Sequence, residues 1–196
     1  MSSINIAGDT SGSVILTVPA AAGSSTITLP AGTGTVAVQG VSTNIVQGTA
    51  QASTSGTAID FTGIPSWVKR ITVMFSGVSS NGTSAFQLQL GSGSFVTTGY
   101  VSSSSYVGSG SGMTTSTTGL LVTFGNAAAN TYRGAVIVNN FSSNTWVSFG
   151  NLGRDDGYQQ VSGGSISLSG TLDRVRITTL NGTDVFDAGS VNIMYE

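Results

Sequence analysis

Short runs of β-branched and aromatic residues, each interrupted by Gly, Ser, Thr or Asn, occur along the whole chain of 196 residues. No segment places apolar residues at positions i, i+3, i+4 and i+7 over two turns, which is the pattern of an amphipathic helix. Gly recurs in the candidate segments, and it lowers helix stability by about 1 kcal/mol relative to Ala. Such runs between turn-forming residues are typical of β-strands, so the sequence predicts an all-β protein.

Longer alternating strands are predicted from about Asp60 to the end of the chain. In the run VKRITVMFSGV, Ile71, Val73 and Phe75 share one face, and the run AFQLQL alternates apolar residues with an outward Gln87 and Gln89. About eight such strands over roughly 145 residues predict an antiparallel, jelly-roll-like β-sandwich. A domain of that size buries roughly 68 % of its unfolded surface, which is enough for independent folding.

Several local features refine this prediction. The Asn-Gly pairs at 81–82 and 181–182 predict type I′ hairpin turns, because both central residues of such a turn have positive φ. The uninterrupted apolar run Ala135–Val138 predicts a strand buried on both faces. The low-complexity segment Ser102–Gly119 predicts a loop or a solvated edge, with a flexible GSGSG loop at Gly108–Gly112.

Two matching runs, Arg70-Ile71-Thr72 and Arg176-Ile177-Thr178, occur in the first and last long strands. We expect these strands to pair, which would bring outward arginines together. Neighbouring arginines repel unless acids or a partner surface lie between them. A subunit contact and simple solvation both explain them.

The first 45 residues differ from the rest of the chain. Thr17–Ala20 (TVPA) recurs as Thr28–Ala31 (TLPA), and the two Trp, five Tyr and eight Phe all lie beyond residue 44. Each buried Val or Leu contributes about 1.5–3 kcal/mol, whereas each ordered backbone residue costs about 1–2 kcal/mol. Residues 1–45 are therefore predicted as a short β segment that docks on, or intertwines with, other protein, and residues 46–196 as the displayed sandwich.

Composition excludes several kinds of partner and site. Charged residues make up 7 % of the chain and the net charge is -2, which argues against nucleic acid as a partner. Cys and His are absent, so no disulfide and no zinc site of the usual kind is expected, and no cofactor is predicted. The N-terminus lacks the pattern of a signal peptide, and no apolar run reaches the ~18 residues of a membrane span.

Three stretches resemble bacteriophage proteins. Ser13–Val38 resembles a segment common on the N-terminal side of phage appendage proteins, and Ile59–Ser84 and Leu168–Glu196 resemble the β-rich domain that ends many tail-fibre and head-fibre proteins. The resemblance implies a non-enzymatic structural protein of the virion, assembled in the host cytoplasm and typically a homotrimer. Since the chain has almost no shaft, the resemblance favours a short fibre or receptor-binding appendage that docks on other virion proteins through residues 1–45. A capsid decoration, cement or head-fibre protein that stabilises the shell is the alternative.

The segment Gly150–Gln160 (GNLGRDDGYQQ) concentrates charged residues, and a tryptophan precedes it. Sugar sites combine an aromatic platform with hydrogen-bonding groups, because a sugar has an apolar face and a hydroxyl rim. A solvated turn with the tryptophan in the core is the alternative, and it is the interpretation that we favour. The candidate residues for binding a host surface glycan are Trp146, Arg154, Asp155, Asp156 and Tyr158.

Catalysis is not predicted. A glycosidase needs only two carboxylates, about 5 to 9 Å apart, so hydrolysis of a surface glycan is a third hypothesis. Asp residues commonly close turns, and each of the chain's aspartates can be explained in this way. Asp155-Asp156-Gly157 is also too short for a calcium loop, which spaces its ligands over about twelve residues.

Overall fold

The computed structural model describes residues 3–7, 13–17, 45–128 and 130–196. The chain divides into two compact units, Met1–Ser42 and Thr43–Glu196. In the first unit, strand β1 (Ser3–Ala7) pairs antiparallel with β2 (Ser13–Thr17). The second proline pattern, Thr28–Ala31, lies outside the described residues, and the docking role of residues 1–45 stays a prediction.

The second unit is built from two antiparallel sheets. Its strands are β3 (Val46–Gln47), β4 (Gln51–Ala52), β5 (Ala58–Thr62), β6 (Arg70–Ser80), β7 (Phe86–Ser92), β8 (Ser94–Phe95), β9 (Val101–Val107), β10 (Ser111–Ser116), β11 (Leu120–Leu121), β12 (Tyr132–Ser142), β13 (Thr145–Arg154), β14 (Gln159–Ser167), β15 (Arg174–Thr179) and β16 (Phe186–Tyr195). A nine-stranded sheet has the order β10-β9-β14-β13-β12-β6-β16-β3, with β4 also paired to β16, and a five-stranded sheet has the order β11-β7-β15-β5, with β8 paired to β7. The described residues contain no helix, so the predicted all-β sandwich is confirmed, while its jelly-roll connectivity stays a prediction.

The hydrophobic core lies between the two sheets. The alternation predicted for β6 is confirmed, because Ile71, Val73 and Phe75 are all buried. From the smaller sheet, the Phe86 ring lies 5.3 Å from both the Tyr132 ring and the Phe186 ring, measured between centroids. Aromatic pairs at this separation add to the energy of area burial, so Phe86 links the smaller sheet to two strands of the larger one.

The two Asn-Gly pairs do not form type I′ hairpins. Each lies on a connection between the two sheets, from β6 to β7 and from β15 to β16. Among these four residues only Gly182 has positive φ, at 70°. The hairpin prediction was wrong because the turn preference of Asn-Gly does not specify whether the flanking strands belong to one sheet.

The serine-rich segment was predicted as a loop or a solvated edge, and it forms two strands at an edge of the nine-stranded sheet. β9 and β10 form a hairpin at one edge of the nine-stranded sheet, with GSGSG at its tip. Ser102 and Ser104 point inward, where the Ser102 hydroxyl accepts a hydrogen bond from the Leu121 N–H at 2.7 Å. Buried hydroxyls bonded to backbone take the place of apolar side chains here, so hydrophobic alternation gave no signal for this strand.

Of three expectations about other strands, two are corrected and one is confirmed. In β12, Val136 is buried but Ile137 is only half-buried, so one face of this strand is partly open. The two Arg-Ile-Thr runs do not pair, because β6 and β15 belong to different sheets. Gln87 and Gln89 point away from the core as predicted, yet loops cover them and leave them 2 % and 7 % exposed.

Candidate functional site

The predicted binding residues at 154–158 lie on the turn between β13 and β14. Arg154 ends β13, and its backbone N–H donates to the Tyr158 carbonyl at 2.8 Å. Gly157 has φ of 90°, and its N–H donates to the Arg154 carbonyl at 3.0 Å. A side chain is strained at that φ, so glycine allows the turn that places Arg154 next to Tyr158.

The Arg154 guanidinium is fixed by two neighbours. It donates two hydrogen bonds to the Asp156 carboxylate, at 2.7 and 2.6 Å, and its central carbon lies 4.4 Å from the centroid of the Tyr158 ring. The hydrogen bonds from Arg154 hold the pKa of Asp156 below its usual value, and those to Asp156 raise the pKa of Arg154. Both groups therefore keep their charges at neutral pH, and the guanidinium plane is held in one orientation.

Two further aromatic rings complete this cluster. Tyr106, from β9, lies 5.6 Å from Tyr158 and 4.8 Å from Phe124, measured between ring centroids. The Tyr158 and Ser109 hydroxyls are hydrogen-bonded, which connects the β13–β14 turn to the tip of the β9–β10 hairpin. A pocket of about 250 Å³ is lined by Tyr106, Phe124, Gly125, Asn126, Arg154 and Tyr158.

Trp146 is not part of this cluster. It is 3 % exposed and packs in the core at the other end of β13. Eight residues of extended strand separate it from Arg154, which is a distance of about 26 Å. The structure therefore has Trp146 in the core, as the favoured interpretation predicted, and contradicts the candidate tryptophan platform beside Arg154, because Trp146 lies at the opposite end of β13 from the turn.

Asp155 lies in the same turn but does not line the pocket. Its carboxylate accepts a hydrogen bond from the Thr131 hydroxyl at 3.1 Å, and the residue is exposed. Besides Tyr158, two aromatic residues line the pocket, and the sequence analysis missed both of them: Tyr106 and Phe124. Tyr106 continues the inward alternation of Ser102 and Ser104, so a strand assignment for the serine-rich segment would have placed it.

A polar groove occupies the outward side of the five-stranded sheet. It has a volume of about 340 Å³ and is lined by Gln87, Gln89, Arg176 and Thr178, among others. Gln89 donates to the Thr118 carbonyl at 3.0 Å, and Arg176 forms two hydrogen bonds of 2.7 Å with Asp60. The charged group of this groove is paired with Asp60, as Arg154 is paired with Asp156, but the residues that line the groove include no aromatic ring, whereas three line the pocket at Arg154.

The pocket at Arg154 combines aromatic rings with a guanidinium that is held in place by the Asp156 carboxylate, which lies outside the pocket lining. Rings can stack on the apolar face of a sugar, while the guanidinium can hydrogen-bond its hydroxyls. Among the described residues, no group of three acidic side chains is arranged to hold a metal ion. Within the same ranges the structure contains no helix with the length and hydropathy of a membrane span.

Comparison with known proteins gives no relative. The sequence matches no family model, and neither a curated protein nor a solved structure is significantly similar to it.

Proposed function

We propose that the protein is a non-enzymatic structural component of a bacteriophage virion, a short trimeric fibre or receptor-binding appendage that attaches to the host surface. The sequence resemblance of Ile59–Ser84 and Leu168–Glu196 to phage fibre domains supports the virion role. The observation that carries the attachment role is the pocket at Arg154, which is lined by three aromatic rings and by a guanidinium hydrogen-bonded to the Asp156 carboxylate.

The ligand of this pocket is a glycan of the bacterial surface. The pocket lies at the tips of two hairpins, so a long polysaccharide can pass across it without entering the core. Tyr106 and Tyr158 provide flat apolar surfaces, and Arg154 provides a cation for hydroxyl or carboxylate groups on the sugar.

Binding to purified bacterial surface polysaccharides tests this role. We expect at least one polysaccharide of a panel, including lipopolysaccharide and teichoic acid, to bind the full chain in a biosensor assay. Tyr158→Ala and Arg154→Gln should lose that binding, because each removes one half of the site. Phe141→Ala is the matched control, since Phe141 is 73 % exposed and lies near the end of β12, at the opposite end of the β12–β13 pair from Arg154. Equal binding by all three variants would exclude the pocket.

The position in the particle separates the appendage from its alternative. The resemblance includes head-fibre proteins, so decoration of the capsid is the second candidate function. Gold-labelled antibody against residues 46–196 should label the tail of purified phage particles if the protein is a tail appendage. Labelling of the capsid supports decoration instead, and absence of the protein from purified particles contradicts both.

A further inference from the structure

The same tripeptide, Asn-Gly-Thr, occurs in two of the connections between the sheets. Residues 81–83 lie after β6 and residues 181–183 lie after β15, and both asparagines are exposed. An exposed asparagine followed by glycine is chemically labile, because glycine has no side chain to keep its backbone nitrogen away from the asparagine side chain. The sequence alone therefore predicts similar reactivity at Asn81 and Asn181.

The reaction is an intramolecular deamidation that needs no enzyme. The glycine nitrogen loses its proton to water and attacks Cγ of the asparagine, so that a new C–N bond forms. The C–N bond of the side-chain amide breaks, and the amide takes a proton from water and leaves as ammonia. Water then opens the cyclic imide at either carbonyl, which gives aspartate or isoaspartate. Hydrogen bonds that occupy the glycine N–H or hold the asparagine side chain oppose the first step.

The structure opposes this reaction at Asn181. The Gly182 N–H donates to the Thr179 carbonyl at 3.0 Å. The Asn181 side-chain amide donates to the Asp184 carboxylate at 2.7 Å. Its oxygen accepts from the Thr179 hydroxyl at 2.9 Å and from the Thr183 N–H at 3.1 Å. Both the attacking nitrogen and the leaving amide are therefore held by hydrogen bonds in the folded chain.

Asn81 is held by fewer hydrogen bonds. Its side-chain oxygen accepts from the Val185 N–H at 2.9 Å. Within the part of the chain that the structure describes, neither the Gly82 N–H nor the Asn81 side-chain amide donates a hydrogen bond. The Asn81 side chain therefore has one hydrogen bond to break before its Cγ can approach the Gly82 nitrogen. We propose that Asn81 is a deamidation site of the folded protein and that Asn181 is protected. This proposal is independent of the proposed function.

Deamidation at Asn81 changes the connection in which it occurs. The Asp184 carboxylate packs against Gly82 so closely that a Cβ there would overlap it. A new carboxylate at residue 81 therefore adds a second negative charge to the surroundings of Asp184, and like charges repel. Isoaspartate also lengthens the backbone at a residue whose N–H donates to the Val185 carbonyl at 2.9 Å. Both products should make the folded protein less stable.

Peptide mapping by mass spectrometry measures both sites in one sample. We expect the full chain, kept folded at mildly alkaline pH, to deamidate several-fold faster at Asn81 than at Asn181. In urea the two rates should become nearly equal, because the tripeptides are identical and the hydrogen bonds are lost. Equal rates in the folded chain, or a faster rate at Asn181, would overturn the proposal. The same ratio in urea would overturn it too, since neighbouring residues and not the fold would then set the rates.

The effect on stability is measured on the same aged protein. Ion exchange separates the more acidic, deamidated chains from the unmodified ones, and the acidic fraction should unfold at a lower temperature. Asn81→Gln is the matched control, because a glutamine would have to form a six-membered ring, and this variant should yield little of the acidic fraction. An equal amount of that fraction from the variant would contradict Asn81 as the modified residue. Equal unfolding temperatures of the two fractions would contradict the repulsion at Asp184.

Discussion

Gly82, Gly182 and Gly110 all lie in connections, yet a side chain would meet different surroundings at each. A Cβ at Gly82 would overlap the Asp184 carboxylate, and Gly182 has φ of 70°, which strains any β-branched residue. A Cβ at Gly110 would lie 3.7 Å from the Tyr106 hydroxyl, which is ordinary van der Waals contact. The cost of substitution therefore depends on the position and not on the residue type.

We expect Gly82→Val and Gly182→Val to lower the free energy of unfolding by about 1–3 kcal/mol, and Gly110→Val to change it by less than about 0.5 kcal/mol. Thermal melts of the three variants measure the differences. If Gly110→Val is the most damaging, the β9–β10 hairpin tip does not have the open conformation described here.

Tyr100 predicts how stability changes at alkaline pH. Its buried hydroxyl accepts a hydrogen bond from the Leu90 N–H at 2.8 Å and donates to the Val96 carbonyl at 2.9 Å. Burial raises the pKa of Tyr100 to about 12, against 10.0 for an unperturbed tyrosine. Because the pKa of Tyr100 is higher in the folded than in the unfolded chain, the protonated hydroxyl contributes to the free energy of unfolding. This contribution is complete below pH 10 and is lost as the pH rises from 10 towards 12.

We expect Tyr100→Phe to reduce the loss of stability between pH 10 and 12. Burial also raises the pKa of Tyr132, so part of the loss should remain in the variant. Urea unfolding at pH 8, 10 and 12 measures the slope for both proteins. Identical slopes would show that Tyr100 ionises equally easily in the folded and unfolded chains.

At the scale of elements, two connections between the sheets hold each other in place. The Asp184 carboxylate accepts hydrogen bonds from the Ser84 N–H at 2.9 Å and from the Asn181 side chain at 2.7 Å. In return, the Asn81 side-chain oxygen accepts a hydrogen bond from the Val185 N–H at 2.9 Å. These reciprocal bonds explain why the Asn-Gly segments form ordered crossings without being hairpins.

We expect Asp184→Ala to destabilise the domain by about 1–3 kcal/mol, because it leaves a backbone N–H and an amide without their acceptor. Asp155→Ala is the matched control, since the exposed Asp155 accepts only from the Thr131 hydroxyl among the hydrogen bonds of the described residues. Its effect should stay within about 0.5 kcal/mol. Chemical denaturation of both variants compares them, and equal effects would contradict a structural role for the Asp184 bonds.

In the whole molecule, the described core of the sandwich is built from the second compact unit. Among the described residues, its buried members run from Ile59 to Ile193 in sequence, and this unit begins at Thr43. We expect deletion of Met1–Val41 to leave a folded protein, since none of these core residues is removed. Circular dichroism should remain β-rich and thermal unfolding cooperative. An unfolded truncated protein would show that the sandwich requires the N-terminal segment.

The candidate site could be predicted only in part. Arg154, Asp156 and Tyr158 are close in sequence, so their charges and aromatic ring could be associated before the structure was known. Tyr106 joins them because β9 pairs with β14. Phe124 lies on the connection after β11, and its ring packs against that of Tyr106. Such pairing depends on contacts between distant residues, about which the local sequence carries little information.

The sequence alone determined the all-β class, the alternating core strands and the low-charge surface, because these depend on the residue types themselves and on their period along the chain. The assignment of strands to sheets, the position of Trp146 in the core and the hairpin of the serine-rich segment follow from the folded structure and not from the sequence pattern. The physical reason is that a strand satisfies its backbone hydrogen bonds only through a partner, and the partner can come from anywhere in the chain.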